Sequence, residues 1–190
     1  LFKEMRGRIK EADTSVPQKD GDWLYWIEFE EGAEYKKWWR RPVSGGADEL
    51  ILDEVALAQG HEYFRLGALS VSANGKLLAY AIDDNGSERF TARIKDLETG
   101  ELLPDELTNL RGGLTWVAND TALVYGPSTE EWRTLEAKLH VIGTPVSSDV
   151  TLYKDFRVTV EEVFRFDPED TLVFKLKLEN PGSSEVIYQP

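Results

Sequence analysis

Residues 66–97, LGALSVSANGKLLAYAIDDNGSERFTARIKDL, contain three strand-like runs, at 68–72, 77–83 and 90–97. Asn74-Gly75 joins the first two, and Asn-Gly readily takes the positive φ angles of a two-residue hairpin turn. Asp84-Asn85-Gly86-Ser87 joins the next pair, so the stretch reads as an antiparallel three-stranded meander. A shift of 45 residues brings the pattern back without a gap: Leu69, Asn74, Tyr80, Arg93 and Ile94 fall on Leu114, Asn119, Tyr125, Lys138 and Leu139. Self-similarity at a fixed spacing of about 40–45 residues, with several strands in each unit, is what a β-propeller blade looks like. A degenerate third copy, Phe166 to Phe174, echoes Val117 to Tyr125 49 residues on.

The expected fold is all-β: a partial β-propeller whose blades are four-stranded antiparallel sheets repeating at about 45 residues, preceded by a short N-terminal helix. Residues 1–18 form the helical segment, with Phe2, Met5 and Ile9 at helical spacing. Residues 19–153 carry the blades, and residues 154–190 carry further strands, as the next blade or as a divergent hairpin.

Within the blade region, residues 23–30 and 34–41 form an aromatic hairpin, 49–52 a short strand, and 53–59 a helical turn or two ended by Gly60. Residues 102–111 read as a loop leading through Gly112-Gly113 into the second copy, where 114–117, 122–125 and 135–142 are the strands and 150–153 an outer one. The long alternating runs after Asp155 are strands, and Asn180-Pro181-Gly182-Ser183 is a turn before a last strand at 184–188.

The 190 residues, 41% of them hydrophobic and 11% aromatic, are enough for a real core, so disorder is excluded. A net charge of −13 argues against nucleic acid, whose phosphates are held by clusters of Lys and Arg. The chain has no cysteine, hence no disulfide framework and no thiolate zinc site, and a cytoplasmic setting is expected. No apolar run approaches the roughly 20 residues that span a bilayer, so no membrane partner is expected.

Few residues suggest chemistry. His61 and His140 are the two histidines, scattered and without a partner nucleophile in view, and structural or surface roles are expected for both. The run from Asp83 to Glu88 resembles part of a calcium loop, but the position that should hold a bidentate glutamate is Ile94 and the flanks read as strands. Glu30-Glu31, Glu130-Glu131 and Glu161-Glu162 are neighbours, and neighbours on a strand point to opposite faces, so they do not converge on a substrate. Trp38-Trp39-Arg40-Arg41 fits either a stacking or cation–π site, or a core Trp beside an exposed one with solvated arginines. A nucleophile elbow needs Gly-x-Ser-x-Gly, and no such string occurs. No catalytic, cofactor-binding or metal-ligating residue is therefore assigned.

A resemblance adds to this reading. Residues 4–17, EMRGRIKEADTSVP, then Asp20-Gly21-Asp22-Trp23, Glu31-Gly32, Glu34-Tyr35, Gly60-His61, Tyr63-Phe64 and Leu66-Gly67-Ala68 stand in a specific order and spacing. The run from Lys95 to Pro104, Gly112-Gly113-Leu114, Trp116, Trp132-Arg133 and Leu139-His140 with Gly143-Thr144-Pro145 extend it. Over residues 1–153 the chain resembles the amino-terminal region of the oligopeptidase B group within the prolyl oligopeptidase family of serine peptidases. The resemblance implies a seven-bladed propeller covering a separate C-terminal α/β-hydrolase domain, short peptides as substrates, and cleavage after Arg or Lys. It also implies that the catalytic triad lies in the hydrolase domain and that this chain serves as gate and size filter. The competing reading is a stand-alone, non-catalytic β-repeat module for protein interaction. In either case two clean copies do not close a ring, and the isolated chain is expected to associate or to be marginally stable.

Overall fold

The computed structural model describes Glu4, residues 12–154, and the backbone of residues 158–166 and 171–178. Of the expected helical segment 1–18, residues 1–3 and 5–11 lie outside the described residues, as do the expected turn and strand at 180–188, and residues 12–18 are extended rather than helical, with strand at Asp13–Thr14 and from Gln18. The chain divides into two compact units, Leu1–Phe64 and Arg65–Pro190.

The first unit is an antiparallel five-stranded sheet. The short strands β1 (Asp13–Thr14) and β2 (Gln18–Asp20) both pair with β3 (Trp23–Phe29), which pairs with β4 (Lys37–Pro42), and β5 (Glu49–Asp53) closes the order. The expected aromatic hairpin is β3–β4, in register with Trp26 opposite Trp39. A single helical turn, α1 (Glu54–Leu57), follows, and Asp53 caps it by accepting from Ala56 N at 3.0 Å. Gly60, at φ +84°, ends the segment in the left-handed region that glycine enters at least cost.

Glu54 is buried in this unit and accepts from Trp38 Nε1 at 2.6 Å. Burial pushes its carboxyl above the ordinary value, while the Trp38 N–H and Lys36 pull the other way. A carboxyl whose folded value is raised contributes stability in its protonated form, and that contribution is lost as pH rises through the raised value. Thermal unfolding followed between about pH 4 and 7 is expected to show this decline. Glu54→Gln should flatten it, and an unchanged pH slope in the variant would contradict the assignment.

The second unit holds a seven-stranded sheet in the order β12-β11-β10-β9-β8-β7-β6, antiparallel throughout. Its strands are β6 (Arg65–Val71), β7 (Leu77–Asp83), β8 (Phe90–Asp96), β9 (Leu102–Val117), β10 (Ala122–Pro127), β11 (Glu136–Val141) and β12 (Val150–Lys154). The loop expected over residues 102–111 is instead the first half of β9. Burial there alternates, with Asp105 and Leu107 inside and Pro104, Glu106 and Thr108 outside. This half pairs with β8, from Lys95 opposite Leu102 to Phe90 opposite Leu110, and meets β10 only at its end, where Leu110 also faces Pro127, so Pro104 sits on an edge that tolerates its missing N–H. The second half pairs with β10, and between the halves Asn109, Gly112 and Gly113 take φ of +65°, +126° and +75°. One strand thus ends the first meander and begins the second.

The repeat read from the sequence is a repeat of register. Leu69 faces Tyr80, which faces Arg93; 45 residues on, Leu114 faces Tyr125, which faces Lys138. The hairpin formed by β13 (Val158–Phe166) and β14 (Thr171–Leu178) preserves it again. Its pairs Phe166–Thr171, Arg165–Leu172, Phe164–Val173 and Val163–Phe174 are the pairs Val117–Ala122, Trp116–Leu123, Thr115–Val124 and Leu114–Tyr125 moved by 49 residues.

The two complete copies meet through unlike faces. The second sends Leu114, Trp116, Leu123 and Tyr125 into a buried cluster with Ala79, Ala81, Ala92 and Ile94 of the first. The second copy's opposite face, Val117, Ala122, Val124 and Ala137, forms a separate small-residue cluster. Large side chains of the second copy therefore pack on a face of the first that sets Ala79, Ala81 and Ala92 among Phe90, Ile94, Leu107 and Leu110. Polar clasps hold the register of the two copies: Trp116 Nε1 donates to Ser70 O at 3.0 Å, and the Asp120 carboxylate accepts from Ala73 N and Asn74 N at 2.9 and 2.8 Å. Asp120 (φ +68°) occupies the turn position that Gly75 (φ +72°) fills in the first copy, a conformation costly for a residue with a Cβ and offset here by two charge-assisted bonds.

Candidate functional site

His140 lies on β11 with its side chain fully buried, Nδ1 at 2.8 Å from Asp149 Oδ1 and Nε2 at 2.9 Å from Asp105 Oδ1. Gly143 N donates to the same Asp105 oxygen, and Tyr125 Oη donates to Asp149 Oδ2 at 2.7 Å. Asp105 Oδ2 is buried with no hydrogen-bond partner. Burial and the adjacent Asp149 push the Tyr125 hydroxyl far above its ordinary value, so it holds its proton and serves as a donor. The network joins β9 of the first copy to β10, β11 and the segment before β12 in the second. Within it both ring nitrogens of His140 are taken up by carboxylates. The sequence reading missed Asp105 and Asp149, the first because its stretch read as a loop. Read as a strand, that stretch places an aspartate at an inward position, which is the signal that could have found it.

His61 is exposed, and its ring joins no cluster of described metal ligands. The Asp83 carboxylate is buried and accepts from the backbone N–H groups of Asn85, Gly86 and Glu88 at 3.1, 2.9 and 2.7 Å. It staples its own turn, and those donors occupy the oxygens that a cation would need. In the first unit, alternation along β4 puts Trp39 and Arg41 on one face and Trp38 and Arg40 on the other. Trp26 and Trp39 stack, centroids 6.5 Å apart and planes 9° from parallel. Arg41 lies 5.6 Å from the Trp26 centroid, Lys36 4.7 Å from Trp38 and Arg40 3.8 Å from Trp23. Arg40 is buried and bonds Glu49 at 2.8 Å, so the reading of both arginines as solvated fails for this one. The cations these rings receive are the chain's own.

One surface feature of the second unit escaped the sequence. The loop between β10 and β11 closes through the bridge Ser128–Thr134 and the bond Thr129 N to Arg133 O at 2.7 Å. Two arginines from the preceding copy clamp its backbone: Arg89 donates to Glu130 O at 3.2 Å and Arg111 to Trp132 O at 2.6 Å. Their guanidinium carbons lie 5.5 and 5.8 Å from the Trp132 ring centroid. Asn109 ties Arg89 to Ser128 O, at 2.5 and 2.7 Å. Trp132 sits at φ +65° and is 42% exposed. Arg89 and Arg111 stand 43 and 21 residues from Trp132, too far apart in sequence for spacing to group them.

The chain matches the family model described as the N-terminal β-propeller domain of prolyl oligopeptidase over residues 1–177. It is similar to a dipeptidyl aminopeptidase BI of Pseudoxanthomonas mexicana, 36% identical in an alignment of 172 residues that covers 82% of this chain and 24% of that protein. It is also similar to a Protease 2 of Moraxella lacunata, 26% identical in an alignment of 163 residues that covers 82% of this chain and 24% of that protein. Among solved structures, oligopeptidase B from Leishmania major matches in fold with a TM-score of 0.85 at 23% identity, over 93% of this chain and 26% of the other. Oligopeptidase B from Trypanosoma brucei gives a TM-score of 0.77 at 27% identity, over 86% of this chain and 24% of the other. The chain spans about a quarter of the length of the curated relatives it matches.

Proposed function

Because this chain belongs to the prolyl oligopeptidase family and carries its N-terminal β-propeller domain, we propose that it is the opening part of a propeller that screens peptides for a separate α/β-hydrolase domain. The parent protein on this reading is a cytoplasmic serine-type oligopeptidase that cleaves short peptides after Arg or Lys. The observation that carries the proposal is the register repeat, joined to relatives that are peptidases about four times as long. The repeats would act by steric exclusion: a rigid ring denies a folded protein the path that a flexible peptide can take. The β13–β14 hairpin supports a third blade, since its register is that of the β9–β10 pair of the second. The blade region then continues past residue 153.

Two names among the relatives favour different substrates, since one is a dipeptidyl aminopeptidase and others are oligopeptidases B. The test begins with the intact mass of the protein from its native source. A mass several times 21.6 kDa, followed by turnover of Arg-containing peptides, supports the proposal. A free-amino dipeptide substrate turned over in place of an amino-blocked Arg substrate would replace the Arg/Lys specificity by dipeptide release. A native mass near 21.6 kDa would sink the peptidase reading in favour of a stand-alone binding module.

A further inference from the structure

The contacts around His140 call for more hydrogens than a neutral imidazole supplies. Nδ1 lies 2.8 Å from Asp149 Oδ1 and Nε2 2.9 Å from Asp105 Oδ1, and each contact needs one hydrogen between nitrogen and oxygen. A neutral imidazole has one ring N–H and one bare nitrogen, so one of the two contacts would set lone pair against lone pair. The neighbouring donors do not make up the shortfall. Tyr125 Oη spends its hydrogen on Asp149 Oδ2, and Gly143 N spends its own on Asp105 Oδ1. The cluster therefore holds one further proton.

Charge decides where that proton sits. The titratable groups facing the imidazole are Asp105 from β9, Tyr125 from β10 and Asp149 from the connection before β12. Among the described residues, His140 is the one basic group within 4.0 Å of either carboxylate. Each carboxylate also accepts from a second donor, which favours its ionised form, and imidazole is the stronger base, with ordinary values of about 6.5 against about 3.9. A neutral ring would leave two negative side chains, each only 1% exposed, without a counter-charge, and Asp105 Oδ2 already lacks a partner.

We propose that His140 is held as an imidazolium, and that its second proton, taken up on folding, straps the connection Gly143–Asp149 to β9 and β11. The proposal does not depend on the peptidase reading. Without that proton one of the two contacts turns repulsive, and the connection is the side that yields. Asp105 is fixed inside a strand ladder, between the pairs Lys95–Leu102 and Arg93–Glu106 on one side and Ala92–Leu107 on the other. The connection has only a single 3-10 turn, Val146–Ser148, and its bonds Thr144 N to Val141 O, Ser148 N to Pro145 O and Asp149 N to Val146 O are all local. Its release takes Asp149 away from Tyr125 as well. The sign is that of a base whose charged form the fold favours: the strap is complete below about pH 6.5, the ordinary value of the released ring, and weakens as pH rises.

Neutron diffraction from crystals of the full-length protein, grown at about pD 7.5 where an ordinary imidazole is mostly neutral, locates the hydrogens directly. Deuterium on both Nδ1 and Nε2 of His140, with none on Asp105 or Asp149, is the expected result. Deuterium on one ring nitrogen alone overturns the proposal, whichever group carries the other. Amide exchange of the same protein in solution, normalised to the unfolded chain, reads the strap. Protection across Ile142–Asp149 should fall about ten-fold per pH unit above about pH 6.5, relative to the Leu97–Glu101 turn, because each opening releases one proton. That turn is likewise closed by local backbone bonds, among them Gly100 N to Asp96 O, and serves as the internal control. Parallel pH courses in the two segments would overturn the strap. His140→Gln keeps a donor and has no proton to titrate, so it should lower the protection and remove the extra pH dependence; the wild-type comparison stands without it.

Discussion

Replacing His140 with Leu is expected to lower stability by about 3–5 kcal/mol, because it leaves the Asp105 and Asp149 carboxylates buried without their shared partner. Both aspartate side chains are only 1% exposed, so water cannot take the place of the imidazole without opening the contact between the two copies. Asp105→Asn keeps the shape and removes one charge, and its cost should be smaller than that of His140→Leu. In the double variant the two costs should not add, since each single change removes part of one network. Urea unfolding followed by circular dichroism measures all three, and a His140→Leu midpoint equal to wild type would show that the network contributes nothing net.

The second large effect concerns packing between copies. Leu123 is fully buried in the cluster that also holds Ala81, so Leu123→Ala should cost about 2–5 kcal/mol through lost burial and the cavity left behind. Ala81→Leu should cost about 1–3 kcal/mol by overfilling the same space. If large residues of the second copy rest on small ones of the first, the two changes together restore much of the volume. The double variant should then be more stable than the sum of the single costs predicts, whereas strict additivity would mean that the two positions do not share a seat.

Much of the fold is legible in the sequence, for a definite reason. A strand repeat keeps its period through the turn chemistry of Asn74-Gly75 and through side chains that must land on one face, and both signals are local. The same locality explains the misreading of residues 102–110. Pro104 and Asp105 look like loop residues until β8 is known to lie alongside and His140 to reach Asp105 from 35 residues away. Arg40 looked solvated because its sequence neighbours are polar or aromatic, while its partners, Trp23 and Glu49, come from two other strands. The Trp132 platform was illegible for the same reason. Its clamps come from the preceding copy, and no spacing rule links Arg89 or Arg111 to a tryptophan in the next.

The continuous β9 changes what counts as a unit in this chain. Because one strand ends the first meander and starts the second, the joint between copies lies within β9 at Asn109–Gly113 rather than in any turn. Backbone pairing crosses that joint through a register shift, with Leu110 facing both Phe90 and Pro127, and runs from Leu102 against Lys95 to Val117 against Ala122, so melting of either copy frays the ladder of the other. A module transplanted from this protein, or a gene duplication that lengthens it, keeps whole ladders only if its boundaries fall at the glycines Gly112 and Gly113. Cuts placed in the turns divide every copy through its hydrogen bonds.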